Sequence, residues 1–203
     1  QIAYPSGTVM LYAFNAAGEV TTATDTTHTI YYAKNAVYSA AGQMTGATFG
    51  WTSSFAGLTL SNSFNERMQP VFLQAASPSV SLLNLGYDFH KGNHDAGLLY
   101  QLTNNRDTSR SETFTFDHLN RAASASTAAT WGETFGYDAW GNLLSRTSSA
   151  EPPLAITVDQ TNRIAPPPPN TDGYLYDAAG NTTHDPTLPV RDYTYDAENR
   201  ITA

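Results

Sequence analysis

The residues best suited to chemistry sit in one polar stretch, where His90 and His94 stand close to Asp88 and Asp95. Imidazole beside carboxylate is the raw material of a divalent-metal site or of general acid–base catalysis. A His-x-x-x-His pair binds metal when a helix sets both rings on one face, but Gly92-Asn93 between these two marks a turn. The stretch reads as the polar tip of a hairpin, and neither a metal, a cofactor nor a catalytic role is expected of it. Nucleophilic chemistry has no better footing. The chain contains no Cys, so it has no thiolate and no disulfide framework. Ser, His and Asp are plentiful, yet no Gly-x-Ser-x-Gly elbow presents a serine at a strand-to-helix turn. The carboxylates that remain of interest are Asp117, Asp138, Asp177 and Asp196, and each follows a pair of aromatic residues. Calcium ligation is one use of such carboxylates, but their repetition at one position of a recurring phrase makes them backbone caps.

The phrase itself is two aromatics one residue apart, then an acid or amide, then a turn ending in Gly or Asn. It reads Tyr12-Ala-Phe14-Asn15-Ala-Ala-Gly18, Phe114-Thr-Phe116-Asp117-His-Leu-Asn120, Phe135-Gly-Tyr137-Asp138-Ala-Trp-Gly141, Tyr174-Leu-Tyr176-Asp177-Ala-Ala-Gly180 and Tyr193-Thr-Tyr195-Asp196-Ala-Glu-Asn199. A worn copy runs Tyr38-Ser39-Ala-Ala-Gly42-Gln43. Side chains alternate faces along a strand, so aromatics at i and i+2 share a face and supply its apolar surface. The Asp or Asn bonds its own backbone just ahead and opens a turn, and a Gly three residues on supplies the positive φ that closes a hairpin with a bulge. Asn120 and Asn199 replace that Gly with the non-glycine residue most at home in the left-handed region. Runs such as Glu19-Val20-Thr21-Thr22 and Asn142-Leu143-Leu144-Ser145 then begin the next strand. The spacing predicts strand, tight turn, strand, repeated, with turns at Ala16 to Gly18, Ala139 to Gly141, Ala178 to Gly180 and Ala197 to Asn199.

These phrases resemble the YD-repeat or RHS-repeat family, which includes bacterial polymorphic toxins, the toxin-complex cocoon proteins and the animal teneurins. The family's signature is an aromatic-Asp-x-x-Gly-Arg turn followed by an apolar residue, and Tyr176 to Asn181 and Tyr195 to Ile201 match it closely. Copies extend from Tyr12 to Ile201, loosely between Gly50 and Arg110, where Phe64-Asn65-Glu66-Arg67-Met68-Gln69 and Tyr87-Asp88 read as degenerate ones. The resemblance implies an all-β fold, a ribbon of antiparallel hairpins spiralling into a hollow shell, with almost no helix. It implies a non-enzymatic structural segment of a secreted or cell-surface bacterial protein, building a wall around toxin cargo or presenting an extracellular surface. Some members carry a self-cleaving core with paired aspartates in a Gly- and Pro-containing signature. Asp185-Pro186 is only a stray dipeptide here, so that activity is not carried over. Two further roles fit the residues. Open strand edges near Ile2-Ala3-Tyr4 and Arg200-Ile201-Thr202 would let copies dock head to tail into a filament or tube. Exposed aromatics, with Trp51, Trp131 and Trp140 the least regular, would suit a carbohydrate-binding adhesion module, although aromatics repeated in every hairpin serve first as scaffold.

Composition sets the remaining limits. An apolar fraction of 40% over 203 residues supports a modest core, while only 14% of residues are charged and Tyr, Thr, Ser and Ala abound, a β-rich, extracellular-looking balance. A net charge of −8, with ten scattered Lys and Arg, excludes a phosphate-binding nucleic-acid partner. No apolar run approaches the roughly twenty residues of a membrane-spanning helix. One repeat array over 1–203 is expected, with hairpins in 1–50, degenerate copies with longer loops in 51–110, and the clearest copies in 111–203 around a Pro-rich loop at 165–170. Prolines donate no ladder hydrogen bond, so Pro166 to Pro169 read as a surface linker. The sequon Asn181-Thr182-Thr183 falls at a turn exit and reads as incidental. The opening on Gln1 and the close in mid-phrase at Ala203 are those expected of a processed product or an excised segment.

Overall fold

A computed structural model describes residues 1–128, 131–165, 173–186 and 189–202, so the Pro166 to Pro169 tract lies outside the described residues. Helix is confined among them to one 3-10 turn at Thr108–Arg110, and everything else that is regular is antiparallel strand. The chain divides into two compact units, one built from Gln1–Arg121 with the end of the strand that follows, the other from residues after that point.

In the first unit the strands are β1 (Ile2–Ala3), β2 (Val9–Phe14), β3 (Val20–Asp25), β4 (Ile30–Tyr38), β5 (Met44–Trp51), β6 (Leu58–Phe64), β7 (Pro70–Ala76) and β8 (Ser81–Asp88), followed by β9 (His90–Lys91), β10 (His94–Asp95), β11 (Gln101–Asn104) and β12 (Glu112–Phe116). Each pairs with its neighbour in sequence, with one exception: β9 and β10 form a small hairpin of their own, and β8 pairs across it with β11. Strand β13 (Ala122–Thr127) is divided between the units. The second unit holds β14 (Gly132–Tyr137), β15 (Leu143–Ser148) and β16 (Leu154–Ala155) as one meander, β17 (Thr157–Val158) and β18 (Ile164–Ala165) as a hairpin, and β19 (Leu175–Tyr176), β20 (Thr182–Asp185) and β21 (Arg191–Asp192) as a second meander. A final bridge joins Tyr195 to Ile201.

Turns close at 15–19, 138–142, 177–181 and 196–200, and the first three share one irregularity with those at 39–43 and 65–69. Ala13 pairs with Thr22 but Phe14 pairs with Val20, which leaves Thr21 over. Thr45, Val71, Leu144 and Thr183 are skipped in the same way after the turns at 39–43, 65–69, 138–142 and 177–181. A residue in the left-handed region at the end of each turn sets this slip, and a bulge there increases the twist of the ribbon.

The core is thin. Among the described residues only Met10, Ala36, Ala47, Phe89 and Ala125 are buried apolar side chains, and Asp25 is the one buried acid. Of the repeat aromatics, Phe114, Phe116, Phe135, Tyr137, Tyr174, Tyr176, Tyr193 and Tyr195 are partly covered, while Thr113, Thr115, Leu175 and Thr194 between or beside them are exposed. Phe14 departs from this and is 59% exposed. Aromatic contacts bind adjacent strands, with Tyr31 edge-on to Trp51 at 5.3 Å and Tyr100 edge-on to Phe116 at 5.4 Å.

Candidate functional site

The capped turns are where sequence, geometry and electrostatics converge. At Asp196 the carboxylate oxygen Oδ1 accepts the backbone N–H groups of Glu198 (2.9 Å) and Arg200 (3.0 Å), and Oδ2 accepts Arg200 Nε at 2.8 Å. The backbone closes around it, Asp196 N–H donating to the Arg200 carbonyl and Asn199 N–H to the Asp196 carbonyl, both at 3.0 Å. Asp117, Asp138 and Asp177 do the same, with Oδ2 taken by Arg121 Nε (2.7 Å), Asn142 Nδ2 (2.7 Å) and Asn181 Nδ2 (2.9 Å). The fourth residue of each turn is left-handed: Gly18, Gly42, Gly141 and Gly180 have φ of 82°, 79°, 95° and 95°, and Asn120 and Asn199 have 62° and 59°.

Where the cap is not an acid, the direction of the side-chain bond reverses. Asn15 Nδ2 donates to Glu19 Oε2 (2.7 Å), Asn65 Nδ2 to Gln69 Oε1 (3.0 Å) and Ser39 Oγ to Gln43 Oε1 (3.3 Å). An acceptor cap is thus met by a donor four residues on, and a donor cap by an acceptor, so no lone pair or proton inside the turn faces its own kind.

These bonds fix the charge of the caps. The side-chain amides of Asn142 and Asn181 hold Asp138 and Asp177 below the usual carboxylate range, as the Thr161 hydroxyl does for Asp159 and the Arg200 backbone N–H for Asp196. Burial pushes Asp117 up, but the backbone and side chain of Arg121 outweigh it and the net shift is downward. All five are anions at neutral pH.

Two sets of bonds tie one turn to the next. The fifth residue of one turn donates to the left-handed residue of its successor: Asn181 Nδ2 to Asn199 Oδ1 at 2.8 Å, Asn142 Nδ2 to Asn162 Oδ1, and Gln43 Nε2 to the Met68 carbonyl at 2.8 Å. Gln69 Nε2 likewise donates to the carbonyl of Gly97 (3.0 Å), a left-handed residue at the foot of the β9–β10 hairpin. The second aromatic of the phrase makes the other link. Tyr38 donates its hydroxyl to the Val20 carbonyl (2.7 Å), Tyr195 to the Thr182 carbonyl (2.9 Å), and the Tyr176 hydroxyl accepts the Ile164 N–H (3.2 Å). In all three the partner is the residue five beyond the previous cap, where the ladder enters its bulge or its next strand. That shared partner is a physical reason for Tyr at these positions.

One turn escaped the sequence, and one reading of it is corrected. Asp159-Gln-Thr-Asn162-Arg163 is a complete capped turn, with Asp159 N–H donating to the Arg163 carbonyl at 2.8 Å and Asn162 at φ 65°. It follows Thr157-Val158 instead of an aromatic pair, so the phrase hides it; the signal was spacing, since Asp138 and Asp177 stand two repeat lengths apart. Tyr87-Asp88, by contrast, is not a degenerate copy of the turn. Asp88 Oδ1 accepts His90 N–H (2.9 Å) and meets His90 Nδ1 (2.7 Å), because the β9–β10 hairpin is inserted where the turn would close. Two other histidines meet carboxylates, His28 at Asp25 (2.7 Å) and His184 at Asp192 (2.6 Å), and no hydroxyl is bonded to any of these rings among the described residues. His94 pairs across its hairpin with Lys91, and no group of three or more metal-ligating side chains occurs among the described residues. Of the irregular tryptophans, Trp51 lies under Lys34 Nζ at 4.0 Å, Trp131 is half-buried and Trp140 is 87% exposed.

No protein-family profile matches the chain, and no curated protein does. Solved structures do. A Photorhabdus luminescens Tc holotoxin pore aligns over 98% of this chain with a TM-score of 0.65 at 19% identity. A TcdB2–TccC3–Cdc42 crystal structure aligns over 96% with a TM-score of 0.66 at 20% identity, and a TcdB2–TccC3 structure over 95% with 0.60 at 19%. The chain shares its antiparallel hairpin fold with stretches of these toxin-complex structures. The alignments span only 11%, 11% and 12% of those chains, so the likeness concerns one stretch of much longer polypeptides. The likeness is one of fold, and it covers nearly the whole of this chain.

Proposed function

We propose that this chain is a length of YD-repeat wall in a secreted or cell-surface protein, whose hairpins enclose a polypeptide cargo such as a toxin and carry out no catalysis themselves. The observation that carries the reading is the turn-to-turn bonding. The caps are used inside their own turns, while the amides of Gln43, Gln69, Asn142 and Asn181 and the hydroxyls of Tyr38, Tyr176 and Tyr195 bond to the neighbouring repeat, so repeats add to one another along the ribbon. A wall needs such propagation, whereas a catalytic domain needs convergence of side chains on one point. The likeness to stretches of toxin-complex chains supports the same reading at the level of fold.

The test is to express the segment with its natural flanking sequence and image the purified particles by negative-stain microscopy. Hollow closed particles, with an enclosed segment resistant to added protease, are expected. Solid globules would refute the wall, and regular fibres would assign the chain to the head-to-tail filament instead.

A further inference from the structure

The turn at 159–163 breaks the pattern of every other acid-capped turn. Asp117, Asp138, Asp177 and Asp196 each have Oδ2 occupied by the side chain four residues on. At Asp159, Oδ1 takes the Thr161 N–H (2.7 Å), the Thr161 hydroxyl (2.7 Å) and the Arg163 N–H (3.1 Å), but Oδ2 has no partner among the described residues. Arg163, the expected donor, lies over the Tyr176 ring instead, 5.2 Å from its centroid. One carboxylate oxygen of this turn is left open.

Asp159 lines a groove of about 860 Å³ within the second unit, together with Trp140, Gln160 and Asn162 and with Leu144 and Ile156 among its apolar lining. Trp140 is 87% exposed. Its turn does not need it, because the same position is Ala17 and Ala179 in sister turns of the same geometry. A large indole held in water at a turn tip gains nothing for the hairpin.

We propose that this groove binds an arginine side chain of a partner polypeptide, the guanidinium stacking on the Trp140 indole and donating to Asp159 Oδ2. Three observations select that chemistry. The open acceptor is an anion and calls for a cationic donor. The indole face attracts cations through its quadrupole, and a planar guanidinium satisfies the face and the carboxylate at once, which an ammonium does less well. The chain's net charge of −8 draws basic partners and repels acidic ones.

The sister turns also supply clean test variants. Trp140→Ala copies Ala17 and Ala179, and Asp159→Asn keeps an Oδ1 to accept the Thr161 and Arg163 N–H groups, so both retain the turn. The probe is a capped Gly-Arg-Gly peptide, titrated against 15N-labelled protein while the backbone amide resonances of Thr161 and Arg163 are followed in every variant and the Trp140 indole N–H wherever Trp140 is kept, with Gly-Lys-Gly and Gly-citrulline-Gly peptides alongside. Saturable binding of the arginine peptide is expected, weakened at least about tenfold by either variant, weakened by added salt, and weaker for lysine than for arginine. The citrulline peptide is expected not to bind. Equal binding of the citrulline peptide would show a groove indifferent to charge and overturn the proposal. No shift of the Trp140 resonance with arginine peptide up to about 10 mM, or a shift unchanged in Asp159→Asn, would overturn it too. None of these outcomes depends on the wall reading, which is decided by the imaging.

Discussion

If tyrosine hydroxyls couple one repeat to the next, removing a single oxygen should cost stability only where the coupling exists. Tyr38→Phe is the sharpest case. Its hydroxyl donates to the Val20 carbonyl at 2.7 Å in a part-buried position, and Phe fits the same space with no donor. A neutral hydrogen bond of this kind contributes about 0.5–1.5 kcal/mol net, more when the abandoned acceptor is shielded from water. The control is Tyr12→Phe in the same unit: Tyr12 has no hydroxyl partner among the described residues, and a change of less than about 0.5 kcal/mol is expected. Urea melts followed by circular dichroism, with the m-value checked for constancy, resolve the difference. A loss near 1 kcal/mol for Tyr38→Phe and none for Tyr12→Phe supports the coupling. Equal losses, or none in either, would show that ring packing alone joins the repeats.

Two further outcomes follow from the turns. Gly141 has φ 95° and open space where a Cβ would stand, so any penalty there is conformational: Gly141→Val should destabilise its hairpin by at least about 1 kcal/mol and Gly141→Asn much less, and equal losses in denaturant melts would contradict a left-handed requirement. For pH, the folded carboxylates of Asp138, Asp159, Asp177 and Asp196 are held below the unfolded value of about 3.9, so their contribution is complete above that pH and lost as pH falls through their folded values. Converting Asp177 to Asn together with Asn181→Gln copies the neutral Asn65–Gln69 turn and should flatten the acid limb of the stability curve; an unchanged limb would place the acid sensitivity elsewhere.

Most of the fold was legible because the repeat fixes it several times over. The alternation Phe114-Thr-Phe116 or Tyr193-Thr-Tyr195 gives strand and face, and Asp-x-x-Gly or Asp-x-x-Asn gives cap and left-handed closure within five residues, so local chemistry decides the outcome. What escaped was whatever depends on a neighbour. Asn142 meeting Asn162, or Tyr195 meeting Thr182, involves residues more than a dozen apart whose meeting is set by the stacking of repeats. The inserted β9–β10 hairpin was foreseen as a polar tip, but not its displacement of the Asp88 turn, because nothing in Tyr87-Asp88 itself records that the chain will leave the sheet and return. The reversed bonds at Asn15 and Asn65 were equally silent, since cap identity acquires its meaning only beside the residue four positions on.

The near absence of a buried core has a mechanical consequence. With five apolar side chains buried among the described residues and strands bonded chiefly to their sequence neighbours, no central body has to be broken before the rest can move. Tension applied at one end falls on a single hairpin, and its release passes the load to the next, as knitting comes undone row by row. An unfolding machine or processive protease that engages a terminus therefore meets a series of small, similar obstacles instead of one large one. Against a blow across the ribbon, by contrast, the load is shared by the bonds that join each turn to the one beside it.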